Sequence, residues 1–270
     1  MRHPLKDLLA TGADDAPAIS APSRAPLTFG ALRTLIADTL ASLNGLGIGR
    51  NDRVAIVLPN GPEMATCYMA CASGVASAPL NPAYRADEFE FYLSDLNAKA
   101  LIVEQGSTSP AIEVATKLGV RLIDLLPTTA AGAGSFTLQP REAGGTATTA
   151  GGYAEVDDVS MVLHTSGTTS RPKIVPLSQG NLAASATHIR RTLQFVSTDC
   201  GRCAVVFDDQ RLGVQVRQVE LELVGAVGRV QRGRRHTAGG ADEAGRHLGA
   251  VGQHEGDAVI AADAQAVQRG

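Results

Sequence analysis

Between residues 27 and 126 short apolar runs alternate with longer stretches whose apolar residues recur every three or four positions. Leu32, Ile36, Leu40 and Leu43 follow such steps behind Thr28, whose hydroxyl suits a helix N-cap, and ahead of Asn44-Gly45, a terminator. An amphipathic helix of about four turns is predicted there. Residues 54–58 are apolar throughout and of strand length. Pro62-Glu63 then opens a helix, with the proline in a tolerated first-turn position and the acid near the positive helix end, and Gly74 closes it. Residues 75–80 predict a second strand, 87–96 a helix with Phe89, Leu93 and Leu96 on one face, and 100–103 a third strand; 112–118 and 121–125 repeat the helix–strand unit. Fully apolar strands separated by helices predict an α/β fold whose parallel sheet is covered on both faces.

The second half of the chain is less regular. Residues 127–153, rich in Thr, Ala and Gly and without periodicity, predict a flexible connection with no site in it. A further apolar run at 161–163 precedes a polar loop, and Ser178 caps a predicted helix with Leu182, Ala186, Ile189 and Leu193 in one stripe and Arg190 and Arg191 outward. Beyond residue 199 the character changes: no Lys or Pro follows Pro176, and no aromatic follows Phe207. Leu212, Val214 and Val216, then Val219, Leu221 and Leu223, alternate as a strand pair would, and from Gly239 onward small and polar residues predict disorder. The expected division is 1–126, an α/β subdomain; 127–153, the connection; 154–198, strand, loop and helix; and 199–270, an atypical, poorly structured tail.

Composition narrows the function classes. The chain has 270 residues, a net charge of -3 and 44% hydrophobic residues, which fits a soluble globular protein and argues against a polyanion-binding surface over the whole molecule. Residues 1–10 do not form a signal peptide, and no window approaches the roughly 18 uncharged apolar residues of a membrane span, so a cytoplasmic location is expected. Cys67 and Cys71 fall on one face of a predicted helix and read as buried thiols, while Cys200-Gly-Arg-Cys203 lacks the second pair of a zinc site; no metal ligands are expected. Gly45, Gly47 and Gly49 read as a turn, because Arg50 stands where a dinucleotide loop needs its third glycine. Asp157-Asp158 reads as a pair of solvated turn residues at a strand start rather than as a magnesium site. Arg229, Arg232, Arg234, Arg235 and His236 form a small basic cluster without interleaved aromatics, so nucleic acid is not an expected partner.

The candidate chemistry lies at residues 165–173, Thr-Ser-Gly-Thr-Thr-Ser-Arg-Pro-Lys. Small hydroxyl side chains and a glycine leave backbone N–H groups open to phosphate oxygens, the hydroxyls add donors, and Lys173 supplies countercharge. Pro172 occupies the position of the second glycine of a Walker A loop, so this is a different phosphate loop. His164, just before it, reads as a strand-end residue and not as a base.

These residues resemble the Thr-Ser-Gly-Thr-Thr-Gly-x-Pro-Lys-Gly signature of the AMP-forming adenylate ligases, the acyl-CoA synthetase superfamily. Ser170 and Ile174 stand where glycine is usual; Ser at the first position resembles the oxalate–CoA ligase branch, and fatty-acid–CoA ligases are similar. The likeness also takes in residues 52–56, 58–63 and 80–82 and extends over about residues 15–195. It implies the parallel-sheet N-terminal subdomain of an adenylate-forming ligase, using ATP and Mg²⁺ to activate a carboxylic acid as acyl-AMP before transfer to CoA. By the same resemblance Thr165, Ser166, Gly167, Thr168 and Thr169 would wrap the β- and γ-phosphates, and Lys173 would neutralise charge on the leaving pyrophosphate. The family's later motifs are absent from this sequence: Pro-Leu-Phe-His at the acyl pocket, Tyr-Gly-x-Thr-Glu at adenine, Thr-Gly-Asp at ribose, and the lysine of a small C-terminal domain. The expectation is therefore an incomplete, truncated and inactive acyl-CoA synthetase with an out-of-frame tail and no catalytic residue of its own. The alternative is a non-catalytic nucleotide-binding or interaction module with a genuine tail.

Overall fold

The computed structural model describes residues 3–165, 172–194, 200–204 and 213–217. Helix α1 (Leu5–Leu9) leads into β1 (Pro17–Ser20) and β2 (Leu27–Thr28), and then into α2 (Phe29–Gly45). Thr28 caps α2 as its sequence predicts, its hydroxyl accepting the Ala31 N–H at 3.2 Å. Leu32, Ile36, Leu40 and Leu43 are all buried. The chain leaves α2 through Gly47 at φ 82°, a left-handed conformation open to glycine at little cost.

The alternation that follows is β3 (Arg53–Val57), α3 (Pro62–Ala72), β4 (Ala76–Pro79), α4 (Ala86–Leu96), β5 (Ala100–Glu104), α5 (Ala111–Lys117) and β6 (Arg121–Pro127). Next come β7 (Phe136–Pro140), β8 (Val159–Thr165), β9 (Lys173–Ser178) and α6 (Gln179–Thr192), then β10 (Cys200–Ala204) and β11 (Gly213–Arg217). Among the described residues a seven-stranded sheet has the order β7-β6-β5-β3-β4-β8-β9. Its five inner strands are parallel, with Ala55 opposite both Ala78 and Leu101, and Ser77 opposite Met161. The two edge strands are antiparallel to their neighbours.

Both faces of the inner strands are covered, which is why those strands are apolar without alternation. Val54 and Ile56 pack with Leu43 of α2 and Cys67 and Cys71 of α3 on one face. Ala55 and Val57 pack with Phe89, Leu93 and Leu96 of α4 and with Val114 and Ala115 of α5 on the other. Met161 of β8 joins Leu182 and Ala183 of α6, Leu5 and Leu9 of α1, and Tyr68 of α3 on the first face. The buried thiols expected at Cys67 and Cys71 are therefore part of the core, and the hydrogen bond with Cys71, together with burial, pushes the Cys67 thiol up.

Three expectations need correction. Residues 127–153 are not a structureless connection: Phe136–Pro140 forms β7, paired with β6 through Leu125 and Leu138. The later part of the same segment lies against the end of α2, with Thr148 N–H donating to Asn44 O at 3.0 Å, Arg50 N–H to Ala150 O at 2.9 Å and Gly152 N–H to Asn44 Oδ1 at 2.7 Å. Secondly, the helix after Ser178 is preceded by a strand, β9, over Lys173–Ser178, most of which lies between the predicted loop at 165–173 and the helix, where the sequence predicts no element. Thirdly, the predicted stripe of α6 is buried at Leu182 and Ala186 but Leu193 is exposed. In the tail, β11 covers Val214 and Val216 as predicted, yet it pairs with β10 and β1. Residues 219–223, the basic cluster at 229–236 and the stretch from Gly239 lie outside the described residues. Among the described residues no helix is long and apolar enough to cross a membrane.

Candidate functional site

In an open parallel sheet, ligands bind beyond the carboxyl ends of the strands, where successive connections depart to opposite faces. Here that place is set by β3 and β4. The residues after β3 enter α3 on one face, those after β4 lead to α4 on the other, and β8 lies next to β4. Leu58-Pro59-Asn60-Gly61 and Leu80-Asn81-Pro82 leave from these ends, and Thr165 closes β8 at the same edge. Asn81 Oδ1 accepts the Ala83 N–H at 2.9 Å, so that turn is braced by its own side chain.

Thr165 and Lys173 face each other as the terminal pair of the β8–β9 ladder. The two described members of the predicted phosphate-binding set therefore stand side by side at the neck of one hairpin, and Lys173 is exposed. Ser166, Gly167, Thr168 and Thr169, with Ser170 and Arg171, fall in the connection between them, outside the described residues. Ile174, which departs from the glycine of the resembling signature, sits in an extended strand opposite His164 and packs on the α4–α5 face. A β-branched residue suits that conformation, so the hairpin leaves its loop by a strand and not by a glycine turn.

The register of β8 rests on a bulge. Val159 opposes Ser178 and Met161 opposes Leu177, so Ser160 is an extra residue, and its hydroxyl donates to Ala72 O at 2.7 Å. After it, Met161 and Leu163 join the α6 side while Val162 and His164 turn to the α4 side. His164 is thus the strand-end residue its sequence position implies. Its Nε2 lies 3.1 Å from Asp95 Oδ2, and its ring meets Tyr92 edge-on at 4.7 Å. Burial lowers its pKa, against the pull of the Asp95 carboxylate, which raises it. Tyr84 stacks on Tyr92 at 4.8 Å, and burial with that neighbour pushes its phenol up to about 12.

The exit of the hairpin is held from below. Ser178 caps α6 by accepting the Asn181 N–H at 3.2 Å. Gln179 is wholly buried; its Nε2 donates to Ala72 O at 2.5 Å and its Oε1 accepts the Leu5 N–H at 3.1 Å. Sequence reasoning passed over Gln179, since an amide in a first helical turn ordinarily faces water. Asp158 organises the turn before β8, accepting from Asn51 Nδ2 and from Glu155 N–H at 2.8 Å each, with Arg50 3.5 Å away. Asp158 is thus a turn residue, as the sequence implies, but its carboxylate is half-buried and hydrogen-bonded rather than solvated, while Asp157 is exposed. Among the described residues no group of three or more His, Cys, Asp or Glu converges to hold a metal ion.

Comparison with known proteins bears on what this edge belongs to. The sequence pattern of a family described as AMP-binding enzyme matches residues 9–209. The chain belongs to the AMP-binding enzyme family. Among its AMP-binding relatives are a probable CoA ligase, CCL9, of Humulus lupulus, 38% identical over 176 residues, which are 64% of this chain and 33% of that protein. An oxalate–CoA ligase of Arabidopsis thaliana is 38% identical over 189 residues, 68% of this chain and 36% of that protein. The chain thus spans about a third of the length of these relatives. The fold is shared with ATP-bound MatB from Rhodopseudomonas palustris, at a TM-score of 0.57 and 24% identity over 74% of this chain and 39% of that one. As an AMP-binding family member the chain carries the parallel-rich α/β sheet of adenylate-forming ligases, and its relatives are acyl-CoA ligases.

Proposed function

We propose that this chain binds the polyphosphate of Mg-ATP at the β8–β9 hairpin, as the phosphate-binding part of an ATP-dependent acyl-CoA synthetase. The observation that carries the reading is the pairing of Thr165 with Lys173 at the carboxyl edge of the parallel sheet. That pairing sets a hydroxyl donor and an exposed ammonium at the neck of a loop rich in small hydroxyl residues. Such a donor set fits a polyphosphate: Lys173 opposes charge on the β- and γ-phosphates, and Thr165, Ser166, Gly167, Thr168 and Thr169 offer hydroxyl and backbone N–H donors. Bound ATP would supply an α-phosphorus for attack by a carboxylate, and Mg²⁺ would arrive on the phosphates themselves. Lys173 then also balances the charge that grows on departing pyrophosphate. Ser170, together with the oxalate–CoA ligase relative, supports a short acid such as oxalate as substrate.

Titration calorimetry with Mg-ATP tests the binding. A charge-assisted hydrogen bond contributes about 1.5–3 kcal/mol, so Lys173→Ala is expected to weaken binding roughly 10- to 100-fold, and Thr165→Val less. Failure of the unaltered chain to bind Mg-ATP, or equal affinity in Lys173→Ala, overturns the reading. The same proposal has residues 1–270 bind without turning over, because the adenine and ribose motifs that the resemblance calls for are absent from the sequence. Exchange of labelled pyrophosphate into ATP with oxalate is accordingly expected to stay at background. Exchange that Lys173→Ala abolishes would show the chain to be an active adenylating unit.

A further inference from the structure

His164 is the penultimate residue of β8, one position before Thr165, and its side chain is 7% exposed. It is enclosed by the last two turns of α4: Phe91 and Tyr92 meet its ring at 6.3 and 4.7 Å, and Asp95 Oδ2 lies 3.1 Å from Nε2. Two features make this contact more than packing. Asp95 stands in the final turn of α4, where a carboxylate faces the negative end of the helix dipole; its place there costs the helix stability unless a donor answers it. And the bulge at Ser160 is what turns His164 toward α4: Val159 and Val162 both lie on the α4 side, whereas unbroken alternation from Val159 through Ser160 would place His164 on the opposite face.

We propose that His164 is a positioning residue for the phosphate-binding hairpin: its hydrogen bond to Asp95 holds the end of β8 against α4 and thereby sets where Thr165 presents its hydroxyl beside Lys173. The inference rests on the polyphosphate reading of the hairpin. The groups acting on the imidazole are Asp95 from α4, which favours its charged form, and Arg53 from β3, which opposes it; Tyr92 presents a ring edge, and the cross-strand neighbour on β9 is the apolar Ile174. Enclosure disfavours the imidazolium, so acid favours the state in which the ring has left the contact, and positioning is lost as pH falls.

The experiment compares Mg-ATP dissociation constants of the unaltered chain, His164→Gln and Asp95→Asn by calorimetry from about pH 5.5 to about pH 8, a range that brackets the ordinary histidine pKa. The nucleotide's own titration is common to all three and cancels in the ratio of variant to unaltered constants. His164→Gln is expected to bind about 5- to 10-fold more weakly at the alkaline end, with the ratio falling toward one in acid. Asp95→Asn, which keeps an acceptor for the Nε2 proton and preserves shape, is expected to retain most of the affinity at the alkaline end. A ratio for His164→Gln that does not change with pH assigns the residue to packing and overturns the proposal, as does a ratio of one throughout. Absence of Mg-ATP binding by the unaltered chain at every pH is a different failure, that of the hairpin reading itself. In that case an imidazole ¹⁵N spectrum showing His164 free of Asp95 would overturn the contact as well, and one showing the bond would leave it a structural tie with no phosphate-binding hairpin to position.

Discussion

At Gln179 a single side chain joins three helices. It is the first residue of α6, yet it is enclosed, because α1 and α3 close over it and use both ends of its amide. Gln179→Ala would leave the Leu5 N–H without its acceptor and open a cavity. The cost of an orphaned buried group, about 1–3 kcal/mol, adds to the lost packing, so the expected destabilisation is about 2–4 kcal/mol by urea denaturation. A loss below about 0.5 kcal/mol would mean that water takes over the amide's role. The neighbouring Ser178 was legible in the sequence, because capping is a local device that needs only the next three residues. Gln179 was not: its partners lie 174 and 107 residues away, and nothing in its immediate context distinguishes an enclosed amide from a solvated one.

The same contrast between local and distant causes runs through the elements. The inner strands β3, β4, β5 and β6 were readable as apolar runs because burial on two faces leaves no polar alternative. The edge strands β7 and β9 are less enclosed: β7 packs Phe136 and Leu138 on one face only, and β9 has no fully buried residue. Phe136 is enclosed while Thr137 and Gln139 are exposed, and β9 contains Pro176, a residue that argues against a strand unless the strand is an edge. Only the topology reveals that it is. The segment 144–152 was misread for a related reason, since its Thr-, Ala- and Gly-rich composition matches a linker while its small residues in fact permit close approach. A Cβ on Gly49 would lie 2.6 Å from Ala150 O and 2.8 Å from Thr148 Oγ1, whereas one on Gly45 meets nothing within 4 Å. Gly49→Ala is therefore expected to cost about 1–3 kcal/mol and to open residues 144–152 to proteolysis, while Gly45→Ala, at the end of α2, is neutral or gains a few tenths. Equal behaviour of the two variants would mean that the segment does not rest on the turn.

For the molecule as a whole, the decisive property is that one set of strands serves two cores. Val54 and Ile56 of β3 point to α2 and α3, and Ala55 and Val57 to α4 and α5, so neither helical layer can lose its sheet while the other keeps it. Leu43 and Leu93 report on the two layers, each with at most 1% of its surface exposed. Truncating either to alanine is expected to cost about 2–5 kcal/mol in equilibrium unfolding, with an unchanged denaturant slope. Hydrogen exchange carries the argument further. If the shared sheet makes the layers one cooperative unit, Leu93→Ala on the α4 side must lower the protection of α2 amides by the same free energy as those of α4, although α2 touches none of the altered atoms' cluster. Protection that falls in α4 alone would instead describe a sheet that keeps its α2–α3 face folded by itself. The His164–Asp95 contact would then belong to the layer that opens first, and the hairpin would lose its anchor before the rest of the fold gave way.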